Sequence, residues 1–170
     1  IIGRTEKDPI FVASCFVQKK GNKFEMIYTS NTSWKKKGKK LIPRYFLKLA
    51  SSKNGIDWKF KKKIMKFKSK NEVAISRPWI IKHKNKEYIF YSYRTKNYKI
   101  GFAKFNKKKQ LVRYDSLLKI QNNIDKFDNK MQEYSSVIDY GNKYLMFYNG
   151  NNFGEKGIGL AEIDKNDLTI

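Results

Sequence analysis

Three segments of this sequence follow one pattern, Asn-Lys, four residues, Tyr: NKFEMIY at 22–28, NKEYIFY at 85–91 and NKYLMFY at 142–148. The tyrosines lie 63 and 57 residues apart, and 15 residues ending on each align without a gap (14–28, 77–91 and 134–148). Val17, Ile80 and Val137 fall together, as do Asn22, Asn85 and Asn142. A recurring segment of this length is one supersecondary unit that buries its apolar face against neighbouring copies.

Each copy reads as a β-hairpin, with an apolar strand, a polar turn holding Asn, and an aromatic and β-branched strand. No copy holds a helical period long enough to compete. A third apolar segment ends in Ala each time, at 47–50, 100–103 and 158–161. Asn54-Gly55 is a strong hairpin signal, and a fourth, edge strand is expected at 58–61 and 111–114. Four antiparallel strands recurring about every 60 residues predict an all-β chain of β-propeller blades. The repeats fall at approximately 9–61, 73–115 and 133–165, within one domain over 1–170. Three blades close a ring poorly, since propellers typically have four to eight, so either further blades are missing from this chain or the repeat packs as a sandwich, and missing blades are preferred. The start at Ile1 is expected for part of a longer chain.

Composition agrees with a packed core: 40% of residues are hydrophobic and 15% aromatic. No apolar run approaches the roughly 18 residues of a membrane span. No signal-peptide pattern is present, and a cytoplasmic location is favoured on that ground. The single Cys15 excludes an internal disulfide and is expected as small core packing. The net charge is +23. It reads either as a polyanion-binding surface or as solvated hairpin tips. The lysines cluster at expected turns, including 35–37, 82–86 and 107–109, where they also blunt sheet edges. The solvated reading is preferred and nucleic acid is not expected. His83 is expected to be solvated. One His and one Cys make no transition-metal cluster, and no metal or cofactor is expected.

In a hairpin the start of the first strand lies beside the end of the second. That juxtaposes Ala13-Ser14 with Thr29-Ser30, Ser76-Arg77 with Ser92-Tyr93-Arg94, and Glu133-Tyr134 with Asn149-Gly150-Asn151. The copies stop agreeing at these positions, as expected of a binding rim on a held scaffold. Candidates are Glu133, Arg77, Arg94, Tyr93, Tyr134, Asn149 and Asn151. Amides, a carboxylate and guanidinium groups suit sugar hydroxyls, and flat rings suit sugar faces. The same residues also read as an ion pair between Arg77 and Glu133, with the tyrosines in the core. The insertion at 31–43 is expected as the longest inter-strand loop, with Trp34 either overhanging the site to stack on a sugar or carried on a flexible surface loop.

The segments Ser76-Arg77-Pro78-Trp79, YIFYSYR at 88–94, YKIGFA at 98–103, YLMFYNGN at 144–151, Phe153-Gly154 and GIGLA at 157–161 resemble the five-bladed β-propeller glycosidase superfamily of arabinanases, levansucrases and invertases. The resemblance is closest to bacterial members linked to surface-polysaccharide biosynthesis and runs from about residue 4 to 161. It implies five blades, of which about three are present, and a funnel-shaped site on the propeller axis. It also implies a base or nucleophile Asp in the first blade and an acid Glu further on. Glycoside cleavage uses two such carboxyl groups. Glu133 is the candidate acid, a role that needs a raised pKa. Asp8 is a candidate second carboxylate, although it precedes its strand, and Asp128 is expected to be a second carboxylate or a brace for its loop. The matching positions in the other copies are Ala13 and Ser76, so the constellation is incomplete here. Three functions follow as expectations: an enzyme acting on glycosidic bonds, a non-catalytic glycan-binding propeller, and a basic polyanion-binding module.

Overall fold

The structure, a computed structural model, describes residues 2–107, 110–118, 120 and 127–168. The expected lysine turn at 107–109 lies partly outside them. Two compact units divide the chain. The first runs through Pro78 and includes Tyr93–Thr95; the second holds Trp79–Ser92 and the chain from Lys96 onward.

In the first unit β1 (Phe11–Lys20), β2 (Lys23–Lys37), β3 (Lys40–Ser52) and β4 (Lys59–Lys63) form an antiparallel series. A single parallel bridge, Tyr45 to Ala74, leads to the start of β5 (Ala74–His83). The strands β5, β6 (Lys86–Arg94), β7 (Tyr98–Phe105) and β8 (Leu111–Arg113) neighbour one another in order, and the divide between units falls within β5 and β6. The second unit also holds an antiparallel sheet of β9 (Glu133–Tyr140), β10 (Lys143–Asn149) and β11 (Ile158–Asp164). Besides strands, the described residues contain short helical turns such as Asn151–Gly154.

The hairpin turns are two residues long, which suits the right-handed twist of the flanking strands when the backbone enters the left-handed region. Gly21 (φ 57°), Lys84 (φ 46°) and Gly141 (φ 59°) take that conformation at corresponding places. Register is equivalent as well: Val17 faces Met26 in the first hairpin and Val137 faces Met146 in the last.

The three aligned tyrosines are all buried, at 3% exposure for Tyr28, 0% for Tyr91 and 2% for Tyr148. The third strand accommodates these rings in two different ways. Tyr148 lies directly across from Gly159, and a Cβ there would stand 2.8 Å from the Tyr148 ring. Gly101 is tighter still, with no room for a Cβ against the Tyr91 ring. The Ile-Gly-Phe-Ala and Ile-Gly-Leu-Ala segments thus carry glycine because an aromatic ring occupies the space of a side chain. In the first hairpin the residue across from Tyr28 is Lys48, which is itself buried.

Three expectations are corrected. Residues 31–43 are not a loop: β2 and β3 continue through them as a paired ribbon with Trp34 opposite Pro43 and a turn at Gly38 (φ 59°). Thr, Ser and Trp alternating ahead of the lysines form strand as readily as the segment before them. Cys15 is exposed, not core, because the alternation of β1 turns Ala13, Cys15, Val17 and Lys19 outward. His83 is partly buried, not solvated. Its Nδ1 lies 3.3 Å from the Tyr144 hydroxyl, and its ring packs edge-on against the Tyr144 ring.

Candidate functional site

Each repeat tyrosine gives its hydroxyl hydrogen to a carboxylate. Tyr28 donates to Asp8 at 3.2 Å, Tyr148 donates to Asp128 at 2.7 Å, and Tyr91 donates to Asp115. Burial, reinforced by the carboxylate beside it, pushes each of Tyr28 and Tyr148 well above the usual tyrosine pKa. Tyr91 is raised chiefly by burial too. Asp8 is also ion-paired with Lys48 at 3.0 Å, both side chains being buried. Asp128 accepts from Gln132 at 2.8 Å. A buried polar atom needs such partners, because leaving one unmet costs about 1–3 kcal/mol.

The rim of the second unit is built around Glu133. It opens β9 in register with Asn149 of β10 and is fully buried. Tyr134 follows with φ 58°, and its backbone N–H donates to the Ser92 hydroxyl at 2.8 Å. Ser14 (φ 40°) and Arg77 (φ 51°), the positions aligned with Tyr134, share its left-handed conformation. Left-handed backbone at non-glycine residues stores strain that the surrounding structure must hold.

The Asn149-Gly150-Asn151 segment is a clamp. Asn149 donates its amide hydrogen to the Phe153 carbonyl at 2.9 Å. The Asn151 amide oxygen accepts from the backbone N–H groups of Lys130 and Met131, both at 2.9 Å. Gly150 passes so close to Phe127 that a Cβ would lie 2.5 Å from its carbonyl oxygen. This clamp secures the segment carrying Asp128 toward Glu133. It also fixes Phe153 in a left-handed turn (φ 61°) with its ring 58% exposed. The Phe153 ring lies 6.1 Å from Tyr98 and 6.2 Å from Tyr134, and those two tyrosines are 6.0 Å apart. Sequence reasoning found Tyr134 but missed Tyr98 and Phe153. The signal was the polar end of β10 followed at once by an aromatic residue.

In the first unit Arg77 is exposed, Tyr93 and Arg94 are partly buried, and the Arg94 carbonyl accepts from Val73 N–H at 2.9 Å. Trp34 is 49% exposed on the β2–β3 ribbon. Ser30, a rim position of the first hairpin, and Asn31, which the sequence did not single out, are fully buried. The Ser30 hydroxyl and the Asn31 amide nitrogen make no hydrogen bond among the described residues. No group of three or more His, Cys, Asp or Glu among those residues is arranged to hold a metal ion. No helix among them is long and apolar enough to cross a membrane.

No family model matches the chain. A protein of Mycobacterium tuberculosis described only as uncharacterized protein Rv1502 is 25% identical over 168 residues, covering 96% of this chain and 54% of its own length. The chain thus spans about half the length of the curated relatives it matches. Among the solved structures it resembles are glycoside hydrolases of propeller type. A family 117 glycoside hydrolase from Zobellia galactanivorans superposes with a TM-score of 0.68 at 19% identity, over 90% of this chain and 51% of that one. An alpha-L-arabinofuranosidase from Lactobacillus brevis gives 0.67 at 10% identity, over 92% and 50%. A variant of the Bombyx mori GH32 beta-fructofuranosidase, solved in complex with sucrose, gives 0.63 at 13% identity, over 87% and 33%. The nearly all-β chain therefore shares the β-propeller-like fold of these solved structures.

Proposed function

We propose that this chain forms about three four-stranded blades of a five-bladed glycoside-hydrolase-like propeller that engages a poly- or oligosaccharide at the rim around Glu133. One observation carries the reading: a buried carboxylate, Glu133, paired across the hairpin with Asn149 and followed in sequence by Tyr134, whose ring packs with Tyr98 against the exposed ring of Phe153. A sugar presents an apolar face to such rings and hydroxyls to the polar groups beside them. Glu133 acts as the acid that protonates the leaving glycosidic oxygen. Tyr134 contacts the sugar, and Asn149 and Asn151 serve by fixing the turn that holds Phe153. Arg77, Tyr93, Arg94 and Trp34 are proposed as sugar contacts on the first unit.

A second reading, a glycan-binding propeller without turnover that works beside surface-polysaccharide synthesis, is favoured by the state of the other carboxylates. Asp8 is held by Lys48 and Tyr28, and Asp128 by Tyr148 and Gln132. The test is a panel of oligosaccharides scored for binding by calorimetry and for cleavage by reducing-end release. Phe153→Ala lowers affinity by about tenfold or more if the ring supports a sugar, in line with loss of a buried-contact anchor. Glu133→Gln abolishes release and keeps binding if the protein is an enzyme. Binding without release in the parent protein selects the second reading, and no binding by any sugar of the panel overturns both.

A further inference from the structure

The positive charge of this protein is unevenly distributed. Residues through Pro78 include 21 Lys or Arg against 5 Asp or Glu, a net +16, whereas the rest of the chain carries +7. Two tracts dominate. The tip of the β2–β3 ribbon has five lysines within 35–40, and residues 59–70 have seven lysines and no acid. The fold brings these distant tracts together, since the Lys35 ammonium donates to the Lys70 carbonyl at 2.6 Å. Aromatic rings are interleaved with them. Trp34 and Phe60 are exposed, the Lys63 ammonium lies 3.1 Å from the Phe46 ring centroid, and the Arg44 guanidinium stacks on Phe67 at 4.9 Å.

Solvated hairpin tips do not account for this arrangement. Lysines that only blunt a sheet edge gain by spreading into water. Here the cationic groups of Lys63 and Arg44 share one ring, lying 5.9 and 4.9 Å from the Phe67 centroid, and the Arg44 Nε is buried without a hydrogen bond among the described residues. Burial first, and then Arg44, Lys48 and Lys66, lower Lys63 to about 8. Like charges held this close are relieved by an anion placed among them.

We infer that the β2–β3 ribbon and the 59–70 tract form one docking surface for an acidic polysaccharide, a chain bearing carboxylate, sulfate or phosphate groups. The choice of a glycan over other polyanions rests on the saccharide reading above. Lysines meet the charges, and the exposed Phe60 ring, within the 59–70 tract, meets a sugar face between them. The surface would hold a long anionic chain whether or not a sugar occupies the Glu133 rim.

The test measures binding of dextran sulfate, polygalacturonate and neutral dextran by the full chain, at about 50 and about 200 mM salt. Two charge-matched quadruple variants are compared: Lys36, Lys37, Lys61 and Lys62→Glu on the surface, and Lys82, Lys96, Lys99 and Lys156→Glu outside it. Binding of both acidic chains, absence of neutral-dextran binding, a steep fall with salt, and a loss of at least about tenfold confined to the first variant support the inference. The corresponding Lys→Gln set, which removes the charge without reversing it, must give the same order. Equal loss in both variants overturns it, as general charge attraction. Tighter binding to phosphatidylglycerol vesicles or to single-stranded DNA, lost in the same variant, overturns it in favour of that partner. Phe153→Ala must leave polyanion binding unchanged, so the rim reading and this one fail separately.

Discussion

Across from the buried repeat tyrosine, the first hairpin has Lys48 and the last has Gly159. The two solve one problem differently. At Gly159 the ring lies over the next strand and its carboxylate, Asp128, is met by the Tyr148 hydroxyl and the Gln132 amide. Where lysine stands, its ammonium neutralises Asp8. Both solutions hold the segment that precedes the first strand, Asp8 in one case and Asp128 in the other. Only the amide solution leads directly into a rim with a buried carboxylate. The lysine solution fixes one more positive charge in the unit that already carries most of them.

The largest effect should come from breaking the charged solution. Lys48→Met leaves Asp8 buried with Tyr28 alone, and removing one partner of a buried pair costs about 3–5 kcal/mol. Asp128→Asn in the second unit keeps a hydrogen-bond acceptor and should cost about 1–3 kcal/mol. Urea unfolding of the two variants compares them directly, and equal losses would mean that the ion pair contributes nothing beyond its hydrogen bonds. Next in size are the glycines: Gly101→Ala and Gly159→Ala should each cost about 1–3 kcal/mol by overpacking, with Gly101 the worse. Thermal melts rank them, and Tyr91→Leu should relieve the Gly101→Ala penalty but not that of Gly159→Ala.

Smaller again is Asn151→Ala, which frees the 130–131 backbone at a cost of about 1 kcal/mol. Its sharper readout is the fluorescence of the Tyr98–Tyr134–Phe153 cluster and any saccharide affinity, both of which should fall together. The smallest effect is in pH. Lys63 has its folded pKa lowered to about 8, so the unfolded chain binds more protons between about 8 and its ordinary lysine value of 10.5. Stability therefore rises as pH climbs through that window. Tyr28 and Tyr148 act with the opposite sign. Their folded pKa values lie above the usual 10.0, so stability falls once pH passes about 10. Guanidinium midpoints measured from pH 7 to 11 should peak near pH 10, and Lys63→Met should remove the rising limb and keep the fall.

Much of the fold was legible in the sequence because strands have a period of two and hairpin turns need a few residue types. The three hairpins, the registers of the first and last, and third strands over the segments at 47–50, 100–103 and 158–161 follow from apolar alternation and the Asn-bearing turns, although each third strand runs on past its Ala. The edge strands at 58–61 and 111–114 fall within a residue or two of β4 and β8. The adjacency of Glu133 and Asn149 was legible too, since a hairpin brings the two ends of its strands together. The ribbon at 31–43 was misread because its lysines look like turn residues, whereas exposed lysine is compatible with a paired strand. Local sequence could not tell that His83 would meet Tyr144, 61 residues away.

The sequence alone determined an all-β chain, three hairpins each carrying the aligned tyrosine in its second strand, and an excess of positive charge. Side-chain spacing along a strand is a local property, and so is charge. Tertiary structure decided which carboxylate each tyrosine meets, why glycine stands beside two of them, and that Asn149 and Asn151 hold backbone. It also decided that Phe153 is turned outward and that Lys35 and Lys70, in two separate lysine tracts, lie together. Those outcomes depend on which chain segments approach in space, and no pattern within a single strand encodes that approach.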